Sequence, residues 1–387
     1  MTASIVVAGG GPIGLAFALA SATLPRVTVT VVEREQARTH ALAEDFDHRV
    51  LALSPATQAF LAALGVWQRL PPERLAPIRA MHVFGDDGGE MDMSQGAPLA
   101  FVVEHATLMN ALKSAVDAAT DRIQWCEGSI TRLVEHGSAV TGVRLQDGRT
   151  LASQLLVGAD GSRSQVRQAA GIDIDSQWYD SEGVVANFRV ERPHGDVARQ
   201  WFSPEGVLAY LPLPDRRISI VWSVSVAKAA ELAALSPDAL CRAVEAAGHH
   251  ALGGLQLASP VARFPLQRTS ARQWTREGLA LIGDAAHAIH PLAGQGANLG
   301  FGDAEALTDC LRGRSPLSRL GDKAVLRRYE RARREPAAAM AAATDRLRAL
   351  FLAPSTAAQW ARNRGLSAVD RLPLAKRLFM DYATRRA

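Results

Sequence analysis

No uninterrupted apolar run in the 387 residues is long enough to cross a bilayer, although 48% of them are hydrophobic; a soluble chain of two or three domains is expected. Met1 to Ser4 carry no basic lead, and glycines interrupt the apolar stretch behind them, so no secretory signal is expected. Cysteine is scarce. Cys126, Cys241 and Cys310 are far apart and odd in number, which excludes a disulfide framework and a zinc-ligand spacing and fits a reducing compartment, with the cytoplasm as the default. There is no internal repeat, and no linker long enough to separate independent modules. The formal net charge of +4 does not indicate nucleic acid; it is compatible with an anionic cofactor or membrane surface, and a solvated Arg-rich face is the simpler account.

What the chain does have is glycine at particular places. It opens with an apolar strand, Ile5 to Ala8, then Gly9-Gly10-Gly11-Pro12-Ile13-Gly14 and a helix through Leu24. A second strand, Val27 to Val32, ends on Glu33. Strand, Gly-x-Gly-x-x-Gly, helix, strand, acid is the order a dinucleotide fold requires. Gly9 makes the tight turn, Gly11 admits a pyrophosphate, Gly14 lets helix pack on strand, and Glu33 is placed to accept from ribose hydroxyls. Arg34 and Arg49 are candidate phosphate or adenosine contacts, with an exposed surface arginine as the alternative for Arg34.

Two further stretches carry the same kind of signal. At Leu155-Leu156-Val157-Gly158-Ala159-Asp160-Gly161-Ser162-Arg163-Ser164-Gln165-Val166-Arg167 a buried strand ends in Asp-Gly before a Ser/Arg-rich helix start. Asp160 can take a sugar hydroxyl or organise the turn, and the arginines can neutralise a phosphate. At Gly283-Asp284-Ala285-Ala286-His287 a short apolar run, Leu279 to Ile282, ends in glycine and acid, with the Asp284 carboxylate placed to accept from a polyol or ribose. The glycines at 294, 296 and 300 then let backbone approach something flat or charged. Helical spacing from Leu299 to Leu311 puts free helix-start N–H groups at about Gln295 to Asn298, where negative charge is favoured.

The rest reads as scaffold. Ser54-Pro55 starts a helix closed by Gly65, residues 78 to 103 read as short strands around the turn at 85 to 89, and Ile123 to Val143 alternates like a hairpin. Gly206 to Leu213 and Ile218 to Val226 alternate with strand period around a Pro-Asp-Arg-Arg turn, and Trp201 and Phe202 sit on the strand before them. Trp201, Tyr210 and Trp222 are candidate substrate-wall residues, against ordinary sheet core. Helices are expected at Lys228 to Leu235 and Pro237 to Ala247. Val325 to Phe351 reads as a long helix with a break near Pro336, and Val369 to Tyr382 as an amphipathic piece.

Taken together and in order, these motifs resemble the FAD-dependent aromatic monooxygenases across essentially the whole chain, and within them the ubiquinone-biosynthesis hydroxylases. Gly9/Gly11/Gly14 with Glu33, Asp160-Gly161…Ser164…Arg167 and Gly283-Asp284-Ala285-Ala286-His287 carry the broad resemblance. The narrower one rests on His290-Pro291-Leu292-Ala293-Gly294-Gln295-Gly296-x-Asn298-x-Gly300-x-x-Asp303, on Arg49-Val50-x-Ala52-Leu53-Ser54 and on Val369-Asp370-Arg371-Leu372-Pro373. Two departures stand out: His105 lies where relatives often present an amide to the cofactor, and Pro336-Ala337 follows Arg333-Arg334 where a polar residue is common.

The resemblance implies an α/β fold, α+β in its second domain. A Rossmann-like FAD-binding domain with a parallel sheet is expected at 1–77, 104–174 and 269–345, an antiparallel-sheet substrate domain at 78–103 and 175–268, and a C-terminal helical segment at 346–387. It assigns Glu33 to the adenosine ribose, Gly11, Pro12 and Ile13 to the pyrophosphate with help from Arg49, and Asp284 to the ribityl chain and pyrophosphate region. Backbone N–H groups of Gly294, Gly296, Ala297 and Asn298 would face the flavin N1/O2 edge, stabilising its negative charge. Pro291 would lie beside the ring on the substrate side. His287 and His290 are read as ordering the loop, with substrate contact open for His290. The implied reaction is hydroxylation of a polyprenylated phenol by a flavin C4a-hydroperoxide, with O2 and with NAD(P)H as transient reductant or another donor in its place. Such a lipid-like substrate implies peripheral contact with the inner membrane or a ubiquinone-biosynthesis complex. A hydroxylase of a small soluble phenol or benzoate, and a related flavin reductase, share these motifs.

Overall fold

The protein is described from a computed structural model over residues 3–35, 46–289, 296–353 and 362–364. Five strands, Leu279–Leu281, Leu155–Gly158, Ala3–Ala8, Val27–Glu33 and Ile123–Glu127, lie side by side in parallel in that order, with Thr275–Arg276 antiparallel at one edge. Ile5, Val7, Val31, Leu155, Val157 and Leu279 are fully buried, as continuous apolar strands covered on both faces require. Helix α1 (Pro12–Ala22) begins at Gly11 with proline in its first turn, and α2 (Pro55–Ala63) is capped by the Ser54 hydroxyl, which accepts from Thr57 N–H. Helix α3 (His105–Asp117) follows a three-stranded sheet of Val50–Leu53, Ala100–Glu104 and Leu75–Ile78, and the short α4 (Gln165–Ala169) is capped by Ser164.

The hairpin expected from Ile123 onward is corrected. Ile123–Glu127 pairs in parallel with Val27–Glu33, while Ile130–His136, Ala139–Leu145 and Thr150–Ala152 make a separate antiparallel sheet. Alternation identifies a strand but not its partner.

A nine-stranded sheet makes the second layer system, antiparallel except where Ala80–Phe84 pairs in parallel with Val197–Ser203. Its long central strand, Ile174–Val190, pairs with Arg217–Ser225 on one side and Ala262–Ala271 on the other. Helices α5 (Val226–Ala234) and α6 (Pro237–Ala247) cover one face, where Val184, Phe188, Ile220 and Leu232 are buried together. After α7 (Gly296–Arg312), α8 (Lys323–Leu352) runs unbroken through Pro336, so the expected break there is not found. The missing N–H costs one backbone bond, and α8 is held at both ends. Tyr329 near its start donates to Leu281 O at 2.8 Å, and Phe351 near its end stacks on Phe202 of the large sheet at 3.9 Å. Val369 to Tyr382 lies outside the described residues.

Candidate active site

Three turns meet at one edge because three parallel strands end in register: Ala8 is level with Gly158, and Gly158 with Leu281. Gly9, Asp160 and Asp284 therefore emerge side by side at the carboxyl ends of the strands, where open α/β sheets bind ligands. Gly9 has φ of 108°, and a Cβ there would lie 2.4 Å from Ala159 O; one on Gly14 would lie 2.1 Å from Gly9 O. These two glycines are needed for backbone contact. A Cβ on Gly11 or on Gly296 would meet nothing within 4 Å, so both face open space. No side chain caps the start of α1. Its free N–H groups, behind Pro12 and Ile13, suit a phosphate.

Glu33 ends its strand half-buried. Its carboxylate accepts from Gly10 N–H at 2.6 Å and Arg34 N–H at 2.9 Å, which fixes it beside the glycine turn with lone pairs to spare; the Arg34 side chain is exposed. Asp160 turns back on its own chain. One oxygen accepts from Ser164 Oγ at 2.5 Å, and the other from Gln165 N–H at 2.7 Å and Val166 N–H at 3.1 Å. It organises the strand-to-helix turn, the alternative that the sequence left open. Arg167 is buried and donates to Ala285 O at 3.0 Å and Ser162 O at 2.8 Å, tying the second motif to the third instead of presenting charge to a phosphate.

Asp284 is accessible, yet the protein packed around it desolvates the carboxyl and raises its pKa above the usual range, against the lowering fields of His287 and Arg49. Behind it lies a buried ionic network. Asp303 accepts from Gly283 N–H at 3.0 Å, pairs with His287 Nε2 at 2.7 Å and accepts from Arg333 Nε at 2.8 Å. Burial pushes the Asp303 carboxyl up, but His287 and Arg333 more than offset it and hold it below the ordinary range. Trp274 stacks on the His287 ring at 4.7 Å. His287 thus anchors the loop. Asp303 and Arg333, not singled out from the sequence as site residues, bind α7 and α8 to that anchor.

Helix α7 starts at Gly296, so Gly296, Ala297 and Asn298 contribute N–H groups of its first turn. The Asn298 side chain is a strut: Nδ2 donates to Ala52 O at 2.9 Å, and Oδ1 accepts from Ser54 N–H at 2.9 Å and Thr57 Oγ1 at 2.8 Å. Gly300 sets the approach, since a Cβ there would lie 2.9 Å from Ile13. His290, Pro291 and Gly294 lie outside the described residues. His105 opens α3, its N–H donating to Arg49 O at 2.9 Å. Burial first, then the Arg49 charge, lower its pKa to about 4, so a neutral imidazole stands where relatives often present an amide. Arg49 is exposed, and its charge acts on both His105 and Asp284.

The aromatic wall expected on the large sheet is corrected. Trp201, Tyr210 and Trp222 are almost wholly buried among residues packed against α5 and α6, and Tyr210 Oη donates to Val244 O at 2.7 Å. They form core because strand alternation turns them to the helix-covered face. The opposite face carries Val185, Val221 and Ala209 in one cross-strand row, next to Asn187, Ser219 and Leu211. Its margins are covered, by Phe46 against Leu213 and Ala198 and by Phe351 against Phe202 and Val207. Between them Ala209, Leu211, Val221 and Ser223 stay partly accessible, an uncharged strip. The open face carries Asn187, Ser219 and Ser223 among its apolar residues, a polar admixture visible in the alternation of Arg217–Ser225.

Fold and site define a class of protein, the flavin-dependent monooxygenases. Residues 2–344 match the FAD binding domain family. PqsL, described as a probable FAD-dependent monooxygenase from Pseudomonas aeruginosa, superposes with a TM-score of 0.77 at 22% identity, covering 94% of this chain and 99% of that one. The p-nitrophenol 4-monooxygenase PnpA from Pseudomonas putida DLL-E4 does so with a TM-score of 0.77 at 19% identity over 100% of both chains. By sequence the chain is 34% identical to the 3-demethoxyubiquinol 3-hydroxylase of Escherichia coli (strain K12), covering 98% of this chain and 97% of that protein. It is 34% identical to the ubiquinone hydroxylase UbiL of Rhodospirillum rubrum, covering 98% and 89%, and 32% identical to the mitochondrial ubiquinone biosynthesis monooxygenase COQ6 of Rattus norvegicus, covering 98% and 90%. The chain belongs to the FAD-dependent ubiquinone-biosynthesis monooxygenases.

Proposed function

We propose that the protein hydroxylates the aromatic ring of a polyprenylated phenol in ubiquinone biosynthesis, with FAD, O2 and electrons from NAD(P)H or another donor. The observation that carries this is the meeting of three glycine- or acid-bearing turns at the carboxyl edge of the parallel sheet, in a chain that also holds an uncharged, partly accessible strip on its large sheet. The residues present fit the cofactor. Gly11 leaves room for a pyrophosphate beside the uncapped start of α1, Glu33 is oriented for ribose, Asp284 for the ribityl chain, and the α7 N-terminus for the anionic edge of the ring. Bound FAD supplies the electron transfer and oxygen activation; the chain supplies placement. Arg49 offsets phosphate charge, neutral His105 offers a hydrogen bond without adding charge, and the His287–Asp303–Arg333 network holds the loop that carries Asp284. The strip around Val221 excludes water and aligns the ring.

Arg217, on the same face, is turned to Phe46 and Asp215, so the apolar side chains of the strip suit a prenylated ring better than a small benzoate, which would call for a charged partner. Among the described residues no helix is long and apolar enough to cross a membrane, so a lipid-like substrate would reach the site through peripheral membrane contact or a biosynthetic complex. Incubating the reduced holoprotein with oxygen-18 gas and a panel of prenylated and simple phenols tests the reading. Label in a prenylated product supports it; label only in simple phenols moves the substrate to the soluble class, and a protein that binds no flavin sinks it.

A further inference from the structure

Two and three residues before Arg49, at Asp47 and Phe46, the chain is gripped from both sheets. Phe46 is buried, with the guanidinium of Arg74 at 4.6 Å and that of Arg217 at 5.1 Å over its ring. Arg74 comes from the cofactor side, beside Glu104, whose carboxylate it meets at 3.1 Å; Arg217 comes from the large sheet, where it pairs with Asp215 at 3.4 Å. Glu104 accepts from Asp47 N–H at 2.7 Å, and Asp47 Oδ1 accepts from Arg49 N–H at 3.0 Å. Asn187, fully buried on the central strand of the large sheet, donates through Nδ2 to both Phe46 O at 2.9 Å and Asp47 O at 3.0 Å. Its cross-strand neighbours are Ser219 and, one strand further, Leu211 of the accessible strip.

From this geometry we propose that Asn187 is a positioning residue for the cofactor. It acts at a distance, by holding the Phe46–Asp47 backbone, whose Asp47 carboxylate accepts from Arg49 N–H, and so fixing where Arg49 leaves the chain beside His105. One carboxamide with two carbonyl acceptors fixes the position and direction of a short segment, as a single bond would not. The large sheet thereby sets the charge offered to the pyrophosphate, and FAD affinity depends on a residue that touches no cofactor. The inference rests on the FAD reading of Arg49 given above.

The test is a double-mutant cycle on FAD affinity of the full chain, stripped of flavin and titrated by fluorescence quenching, with Asn187→Leu, Arg49→Ala and the double variant. Asn187→Leu keeps the branching and the number of heavy atoms and removes both donors. About a tenfold rise in Kd is expected for each single variant, one power of ten being 1.4 kcal/mol. The double variant should lie within about twofold of Arg49→Ala alone, because Asn187 acts through Arg49. If Asn187→Leu leaves Kd unchanged, or if the two effects multiply in the double, the proposal fails while the FAD reading stands. A wild-type chain that does not bind FAD overturns both. Should Asn187→Leu lose its cooperative thermal transition, Asn187→Ala, which removes both donors without adding bulk, takes its place in the cycle with the same expected and overturning outcomes.

Discussion

The glycines of the first turn separate into two kinds, a division no sequence pattern expresses. Gly14 is required by the protein itself, with Gly9 O 2.1 Å from where its Cβ would be, whereas Gly11 faces open space. Gly14→Ala is therefore expected to destabilise the apoprotein by about 1–3 kcal/mol through overpacking against backbone. Gly11→Val should leave the melting temperature of the apoprotein nearly unchanged and weaken FAD binding at least tenfold, because its side chain would occupy the approach to the α1 N-terminus. Thermal denaturation and a flavin titration of both variants check this; equal loss of stability in the two would refute the division. The same scale explains Asp160, which the sequence could assign to a sugar or to a turn. Three donors four to six residues on bind its carboxylate to the turn, and only their coordinates could say so.

At the scale of elements, the loop after Leu279–Leu281 is held by the helices behind it. Asp303 on α7 gathers Gly283 N–H, His287 and Arg333 of α8 at full burial. Replacing that carboxylate by an amide leaves Arg333 without its buried counter-charge, and Asp303→Asn is expected to cost about 3–5 kcal/mol in chemical denaturation. A loss below about 1 kcal/mol would mean that the network does not hold the three elements together. The position of Asp303 within the glycine-rich motif was visible in the sequence. Its partner Arg333, 30 residues later, was not, because helix spacing says which residues share a face and nothing about which helix lies opposite. The aromatics of the large sheet show the same limit: period-two alternation sets Tyr210 and Ala209 on opposite faces, but α5 and α6 decide which face is closed.

For the molecule as a whole, the titrating groups give stability a direction with pH. His105 has its folded pKa lowered from 6.5 to about 4, so the unfolded chain takes the proton first. Its contribution is intact above pH 6.5 and is lost as pH falls from there toward about 4. Asp303, held below the ordinary carboxylate range, adds a further loss at lower pH, while Asp284, raised above it, relaxes as it protonates and opposes that loss. Urea midpoints of the apoprotein should thus decline on acidification from pH 6.5, and His105→Asn should flatten the upper part of that decline; an unchanged profile would show that His105 is not the group responsible. By itself the sequence determined the order of strands, turns and helices along the chain, the three glycine- or acid-bearing turns and the family, since these depend on local backbone geometry and residue spacing. The tertiary structure alone decided that Ala8, Gly158 and Leu281 end in register, that Arg167 and Asp160 serve the scaffold, that Val221 and not Trp222 faces the accessible strip, and that Asn187 reaches Phe46. The long-range contacts among these join residues up to 150 apart, fixed by packing and burial that no local pattern encodes.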